Sequence, residues 1–264
     1  MRIDLLSIFP DFFHTPLTVG GIVHRAQQAG ILTIGIHNIR AFAEGRHQVT
    51  DWRPYGGGEG MVMKAEPLAA CLESVPRVGE RRRVVLMSPR GALFSQARAL
   101  EYAELDQLVL ICGRYEGVDE RFTQTCVDEE CSLGDYVLSG GELAALVVTD
   151  AVCRLLPGAL GCADSAKKDS FSRSLLKHHQ YTKPLVFAGL TVPEVLRSGD
   201  HGAVDRHRFL ESVRLTLSRR PDLLPGLELS KTERKWLDQA GLLAAVEAAQ
   251  AGTTGRSEHE DAPA

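Results

Sequence analysis

The chain has 264 residues, 44% of them hydrophobic and 24% charged, which fits a globular protein of one or two domains. Its net charge of −4 at pH 7 by itself argues against a nucleic-acid partner. No window offers the ~20 apolar residues that a membrane-spanning helix needs, and the start, MRIDLLSIFPDFF, has too short an apolar run for a signal peptide. The six cysteines form no CxxC pair, and Cys126 and Cys131 are interpreted as buried thiols. We therefore predict reduced thiols in a cytoplasmic protein, with no zinc site, disulfide framework or membrane partner.

The first 160 residues alternate apolar, strand-like runs with helical patterns. Such alternation is the signature of βαβ units and predicts an α/β fold with a mostly parallel sheet. The predicted strands are Ile3–Phe9, Ile31–His37, Arg83–Met87 and Leu108–Cys112. The predicted helices are Pro10–Gln28, Ala65–Ser74, Ser95–Leu105 and Glu142–Leu156.

The second part of the chain has a different character. Residues 159–183 show little periodicity and many small or polar side chains, which is typical of a linker or a mobile loop. From Val192 onward helical patterns predict a smaller helical domain, and Ser230 with Glu233 predicts a capping box. Its predicted helices are Pro193–Arg197, Ala203–Ser218 and Lys231–Ala249. The small, polar tail 251–264 is expected to be disordered.

Charge is unevenly distributed along the chain. Residues 161–220 hold eleven lysines and arginines against six acidic residues, a local charge of +5, so the remainder carries −9. A basic segment on an acidic body is typical of a phosphate-binding surface. A solvated basic face explains the same pattern equally well, and charge alone does not decide between the two.

Two glycine-bearing segments follow apolar runs. Leu108–Cys112 stops at Gly113, and the charged loop GRYEG begins there; in open α/β sheets, ligands bind beyond the carboxyl ends of strands. Gly140 and Gly141 directly precede the apolar helix at Glu142, where bare backbone N–H groups suit an acceptor-rich ligand. Alone, that pair is more simply a tight turn. Together, the two segments predict one ligand pocket between neighbouring strand ends.

Two further motifs are open to two interpretations. PYGGGEGM (Pro54–Met61) lacks the Lys-Ser/Thr of a P-loop and does not match GxGxxG. It is either a loop whose backbone approaches a ligand closely or a plain surface loop. In KKDSF (Lys167–Phe171), Asp169 is either a solvated carboxylate or a catalytic residue on a loop that closes over a site.

In their order and spacing, PYGGGEGM, GRYEGVDER, SLGDYVLSGGE and DSF resemble the TrmD family of bacterial tRNA (guanine-N1)-methyltransferases, of the SPOUT class. The likeness runs from Met1 to about Leu229. It implies an α/β domain with a deep trefoil knot, a feature that periodicity does not predict because knots are nearly absent from folds. It also implies a SPOUT domain that binds S-adenosylmethionine (SAM) over residues 1–160 and an interdomain linker with an active-site loop over 161–190. A helical tRNA-binding domain over 191–250 and a disordered tail over 251–264 complete this organisation.

The resemblance implies that SAM lies in the knot, held largely by backbone groups of the loops. Glycines there admit backbone contacts that a Cβ would block. Carried over by motif, the cofactor-binding residues are Pro89, Gly113, Tyr115, Leu133, Gly134, Asp135, Tyr136, Val137, Leu138, Gly140 and Gly141.

The implied reaction is methyl transfer from SAM to N1 of guanosine 37 in tRNA, next to the anticodon. Guanine N1 must lose its proton as it attacks, and charge then builds on O6. Asp169 matches the family's general base, Arg154 its essential arginine, and Glu116 an acidic residue associated with the Mg²⁺ that the family uses. The family is a homodimer, with the active site between one subunit's knot and the other's C-terminal domain. The basic segment 161–220 then belongs to an RNA surface.

Three positions depart from the family pattern: Trp52, Glu59 and His179. They bear on RNA contacts and loop conformation, not on the cofactor or the base. The rival enzyme hypothesis is a SPOUT methyltransferase acting on another tRNA position or on rRNA, and the non-enzymatic one is an RNA-binding module without catalysis. The joint presence of Asp169 and Arg154 favours an enzyme. A nicotinamide oxidoreductase is disfavoured because no GxGxxG follows a strand.

Overall fold

The computed structural model describes residues 1–161 and 169–252. The chain forms two compact units, Met1–Ala163 and Asp164–Ala264. Within the described ranges, no helix is both long and apolar enough to cross a lipid bilayer. Lys167 and Lys168 lie outside the described residues, as does the predicted disordered tail from residue 253 onward.

The first unit is built on a five-stranded sheet and a short antiparallel strand pair. In chain order the strands are β1 (Arg2–Ser7), β2 (Thr33–Asn38), β3 (Asp51–Trp52), β4 (Val62–Met63), β5 (Arg82–Leu93), β6 (Gln107–Cys112) and β7 (Glu129–Ser132). The sheet order is β2-β1-β6-β5-β7, and every neighbouring pair in it is parallel. β3 and β4 pair with each other. The predicted α/β fold with a mostly parallel sheet is confirmed.

Helices cover both faces of this sheet. They are α1 (His14–Thr18), α2 (Gly21–Gln28), α3 (Ala65–Ser74), α4 (Gln96–Ala103), α5 (Glu120–Cys126) and α6 (Glu142–Cys153). Every residue of β6 is buried; Leu108 and Leu110 pack with α1, α2, α4 and α6, while Val109 and Ile111 pack with α3 and α5. A strand buried on both faces reads as a continuous apolar run. Each such side chain contributes about 1.5–3 kcal/mol on burial.

The predicted single helix Pro10–Gln28 is wrong. A 3₁₀ turn at Pro10–Phe13 leads into α1, and α2 begins only at Gly21. Gly20 and Gly21 have φ of 67° and 75°, a conformation that glycine adopts at little cost and that a right-handed helix cannot continue through. The helix predicted to end at Leu156 ends at Cys153.

β5 is longer than predicted, and β7 was not predicted at all. The register between them shifts, because both Met87 and Ala92 pair with Cys131. The residues between, Ser88–Gly91, therefore bulge out at the carboxyl end of the sheet. Pro89 lies on this bulge.

The second unit contains α7 (His201–Arg219), α8 (Lys231–Gln239) and α9 (Leu243–Gly252), with a hairpin of β8 (Val186–Phe187) and β9 (Leu190–Thr191). The predicted helix Lys231–Ala249 is wrong as one piece, because Gly241 with φ 66° separates α8 from α9. The predicted capping box of Ser230 and Glu233 is confirmed. The predicted helix Pro193–Arg197 is a 3₁₀ turn over Glu194–Arg197. The core of this unit consists of Leu175, Leu210, Val213, Leu224, Leu227, Leu237 and Val246.

Candidate active site

An open cleft of about 360 Å³ lies in the first unit, at the carboxyl ends of β5, β6 and β7. Its walls are the β5 bulge, the loop after β6 (residues 113–118) and the loop between β7 and α6 (residues 133–141). All the predicted cofactor residues line it except Asp135. Tyr115, Tyr136 and Val137 are 47%, 56% and 88% exposed, so apolar surface is available to a ligand here.

The two glycine-bearing loops touch each other. Gly141 N–H donates to Gly113 O at 2.9 Å, and Arg114 forms an antiparallel bridge with Gly140. The chain that leaves β7 therefore returns across the end of β5 to the end of β6. This geometry agrees with the predicted single pocket between the two loops.

An added Cβ would meet different surroundings at the three cleft glycines. A Cβ at Gly141 would lie 2.7 Å from Cα of Cys112, so this position packs against the protein's own backbone. A Cβ at Gly140 would collide with the Arg114 side chain. At Gly113 the nearest atom to an added Cβ is Met87 O at 3.6 Å, which is ordinary contact. Of the three, only Gly113 could take a Cβ without displacing a neighbouring atom.

The glycine-rich segment Pro54–Met61 lies against the loop after β6. Glu116 N–H donates to Met61 O, and Met63 N–H donates to Gly117 O, both at 2.9 Å. Gly60 has φ 78°, and a Cβ there would lie 2.5 Å from a carboxylate oxygen of Glu116. The positive φ at Gly60 favours glycine there, beside the side chain of a cleft residue. These contacts are with the protein's own chain, so a backbone approach to a ligand in this segment stays a prediction.

A buried polar network at the base of the cleft was missed from the sequence. Glu142, 1% exposed, accepts from Ser7 Oγ at 2.6 Å and from Arg114 Nε and Nη2, each at 2.9 Å. Arg114 Nη1 also donates to Ser139 O at 3.1 Å. The signal was an acidic residue in the first turn of an apolar helix, directly after a glycine pair.

Arg154 does not line the cleft. It is the residue after the last turn of α6, thirteen residues beyond Gly141, which is roughly 20 Å at 1.5 Å per residue. Leu143, Val147 and Asp150 precede it at the spacing of one helix face. Leu143 and Val147 on that face are each 49% exposed.

Asp169 belongs to the second unit. Its Oδ1 accepts a hydrogen bond from Lys177 Nζ at 2.8 Å, and Ser172 Oγ donates to its backbone carbonyl at 2.7 Å. The segment is anchored in its own unit, because Leu175 is buried there and Leu176 N–H donates to Thr216 Oγ1 at 2.9 Å. The carboxylate is 32% exposed, so it is reachable from solvent.

The thiols near the cleft are not nucleophiles. Burial, reinforced by Glu142, raises the pKa of the Cys112 thiol well above its usual value, and burial also raises the pKa of Cys131, which lines the cleft. Thiols of raised pKa are poor nucleophiles at neutral pH. Cys131 is buried, as predicted, whereas Cys126 is half-buried; both are free. In the part of the chain that the structure describes, no group of three His, Cys, Asp or Glu side chains could hold a metal ion.

Comparison with known proteins gives a consistent result. The family model for tRNA (guanine-1)-methyltransferase TrmD matches residues 1–226. A tRNA (guanine-N(1)-)-methyltransferase of Desulfatibacillum aliphaticivorans is 51% identical over 242 residues, covering 91% of this chain and 92% of the relative. Proteins of the same name from Koribacter versatilis and Geobacter sulfurreducens are 49% and 50% identical, covering 90% of this chain and 98% and 96% of their own lengths. The chain therefore belongs to the TrmD family of tRNA (guanine-1)-methyltransferases.

Proposed function

We propose that this protein transfers the methyl group of SAM to N1 of guanosine 37 in tRNA. The observation that carries the proposal is the cleft at the carboxyl ends of β5–β7, walled by the two glycine-bearing loops, in a chain that belongs to this family. The names of the relatives supply the reaction type and the guanine nitrogen. The cofactor and position 37 come from the family likeness of the motifs.

The residues present fit SAM. Gly113, on the cleft wall, could take a methyl without displacing a neighbour, and the loops would offer backbone N–H and C=O groups to an adenine edge and ribose hydroxyls. Tyr115, Tyr136 and Leu138 present exposed apolar surface to the rest of the molecule. When bound, SAM supplies an electrophilic methyl group on a sulfonium.

The protein's own part in the chemistry is proton removal and charge stabilisation. With SAM bound, the Asp169 carboxylate would accept the N1 proton as the methyl group passes from sulfur to N1, and the product would leave with a neutral sulfur. A positioned carboxylate typically contributes about 10²–10⁴-fold in such a step. Arg154 would stabilise the negative charge that builds on O6.

Glu116 is the residue that would contact Mg²⁺. Its carboxylate is exposed at the cleft, and Mg²⁺ is commonly bound through one or two carboxylates together with water and substrate groups. This arrangement fits a metal that enters with the substrate. A Glu116→Gln substitution is then expected to raise the Mg²⁺ concentration needed for half-maximal activity.

A second copy of the chain would complete the site. Within one chain, the cleft lies at the start of α6, whereas Arg154 lies at the far end of that helix. If the exposed faces of two α6 helices paired antiparallel about a two-fold axis, Arg154 of one copy would lie beside the other copy's cleft. The half-exposed Leu143 and Val147 supply the apolar contact for that pairing.

Three finer features complete the proposal. A trefoil knot is supported by the return of residues 133–141 across the end of β5. An RNA surface on the second unit is supported by the basic segment 161–220, whose contacts would make binding salt-dependent. A cytoplasmic location is supported by the five described cysteines, all free thiols.

The deciding experiment locates the new methyl group. Transcribed tRNA is incubated with protein and isotopically labelled SAM, digested, and analysed by mass spectrometry. One methyl on N1 of guanosine 37 is expected, and a tRNA with adenosine at that position should stay unlabelled. Label at another tRNA position or only in rRNA would overturn the assignment and favour the rival SPOUT activity.

The shared site is tested by mixing inactive variants. An Arg154→Ala protein and a cleft variant that cannot bind SAM are each expected to be inactive. Refolded together, they should regain activity, because a mixed dimer has one site with an intact cleft and an intact arginine. If the site lay within one chain, no activity would return.

A further inference from the structure

The two cofactor loops share one buried anchor, the Glu142 carboxylate, which does not line the cleft although its partner Arg114 does. Glu142 receives the Arg114 guanidinium on one oxygen and the Ser7 hydroxyl on the other. Ser7 Oγ in turn accepts from Phe9 N–H at 2.8 Å, and the Arg114 guanidinium lies 4.6 Å from the centre of the Phe9 ring. These contacts form a closed circuit, because each residue contacts the next and Phe9 contacts Ser7 again. The circuit joins the end of β1, the start of α6 and the loop after β6.

The circuit touches both walls of the cleft. Arg114 is part of the loop after β6, and through Nη1 it also holds Ser139 O in the loop that precedes α6. Glu142 begins α6 directly after Gly141 and ties that point to β1 through Ser7. Both loops are thus positioned against one carboxylate that is 1% exposed.

The chemistry explains why this contact is a strong one. An arginine can donate from several N–H groups at fixed angles, which a lysine cannot reproduce. A buried carboxylate that loses its cation is left unpaired away from water, so removal of either partner disturbs the remaining one. The loops themselves are irregular: Tyr115 has φ 62°, and Gly134 has φ 156°. Such loops need tertiary contacts to keep one conformation.

We propose that Arg114, Glu142 and Ser7 form a latch that holds the two loops at the spacing SAM requires, with Arg114 and Glu142 as positioning residues. This inference rests on the proposed function, because it presumes that SAM is the ligand of the cleft. The latch acts on cofactor binding. It does not take part in proton transfer to Asp169.

The test is SAM affinity by calorimetry, measured at a temperature well below the unfolding midpoint of every variant. Glu142→Gln and Arg114→Ala are each expected to weaken SAM binding at least fivefold. Arg114→Lys should not restore it, and the joint change Arg114→Ala with Glu142→Gln should bind SAM no more weakly than the weaker-binding of these two single variants. Arg234→Lys, in an exposed pair with Glu247, is the matched control and should bind as wild type.

A purely stabilising role predicts a different pattern. It would lower the unfolding temperature and leave the affinity of the folded protein within fivefold of wild type, which would overturn the latch. Strictly additive losses in the joint variant would overturn it too, because the residues would then act separately. If Arg114→Ala does not fold, SAM affinity is measured for Arg114→Lys instead. Binding at least fivefold weaker than wild type supports the latch, and a smaller loss overturns it. Wild type that neither binds SAM nor methylates tRNA refutes the proposed function instead.

Discussion

Lys177 Nζ lies 2.8 Å from Asp169 Oδ1, so the proposed general base is paired with an ammonium of its own unit. The two residues are eight positions apart, and the segment between them turns at Phe171 and Ser174, which have φ of 73° and 55°. The cation favours the ionised carboxylate, the form that can accept a proton. It also competes with the substrate for the same oxygen.

Asp169→Asn is expected to lower the single-turnover methylation rate at least ~100-fold, because the amide cannot accept the N1 proton as a carboxylate does. SAM affinity should stay at the wild-type value, since the cofactor residues lie in the other unit. Asp238→Asn, at an exposed position of α8, is the control. A near-wild-type rate for Asp169→Asn would assign proton removal to another group, with Glu116 the next candidate.

Lys177→Met is expected to move the acid limb of the pH–rate profile to higher pH, because removal of the cation favours the protonated, inactive carboxyl. The side chains are 34% and 32% exposed, so solvent limits such a pair to about 0.2–1 kcal/mol and the displacement to less than about one pH unit. Lys177→Arg should keep the wild-type profile. Identical profiles for Lys177→Met and wild type would show that the pair does not act on the base.

Local sequence patterns predicted most strands of the sheet but missed the points at which helices are interrupted. The continuous apolar run at β6 was readable because the strand is buried on both faces. The breaks at Gly20–Gly21 and Gly241 were missed because apolar periodicity runs on across them, although a positive φ ends the helix. β7, with the sequence EECS, is too short and too charged to be read as a strand without its neighbour β5.

The candidate site, like the fold, could be predicted from the sequence only in part. The glycine-bearing loops could be predicted because glycines after an apolar run mark a strand end at a ligand site. The contacts of Glu142 with Ser7 and Arg114 join residues 135 and 28 positions apart, and no local pattern carries such a pairing. The place of Arg154 on one face with Leu143 and Val147 follows from helix spacing once the start of α6 is known.

Asp4→Asn is expected to make the free energy of unfolding depend less on pH in the acid range. Burial by itself raises the pKa of Asp4, but hydrogen bonds from His37, Arg2 and Gln107 outweigh it and hold the pKa below its usual value. A depressed carboxyl pKa stabilises the fold above the unfolded-state value, near pH 4, and that stability is lost as pH falls through the folded-state pKa. At pH 7 the variant should lose about 1–3 kcal/mol of unfolding free energy, measured by urea titration.

The difference in unfolding free energy between wild type and Asp4→Asn should become smaller as the pH is lowered from 7 to 3. Asp11→Asn, at a carboxylate that is 96% exposed, serves as the control and should match wild type at both pH values. A constant difference across this range would show that the charge of Asp4 contributes nothing to the folded state.

Alanine at the two touching glycines separates packing from cofactor contact. At Gly141 the added methyl would press on the Cys112 backbone at 2.7 Å, and overpacking of this kind costs about 1–3 kcal/mol, so Gly141→Ala should lower the unfolding temperature. At Gly113 the nearest atom is 3.6 Å away, so Gly113→Ala should fold as wild type while its methyl narrows the cleft and weakens SAM binding at least tenfold. Gly202→Ala, in α7, should leave SAM affinity unchanged. Wild-type affinity in Gly113→Ala would mean that the cofactor does not approach the backbone there, and a wild-type unfolding temperature in Gly141→Ala would contradict the close packing against β6.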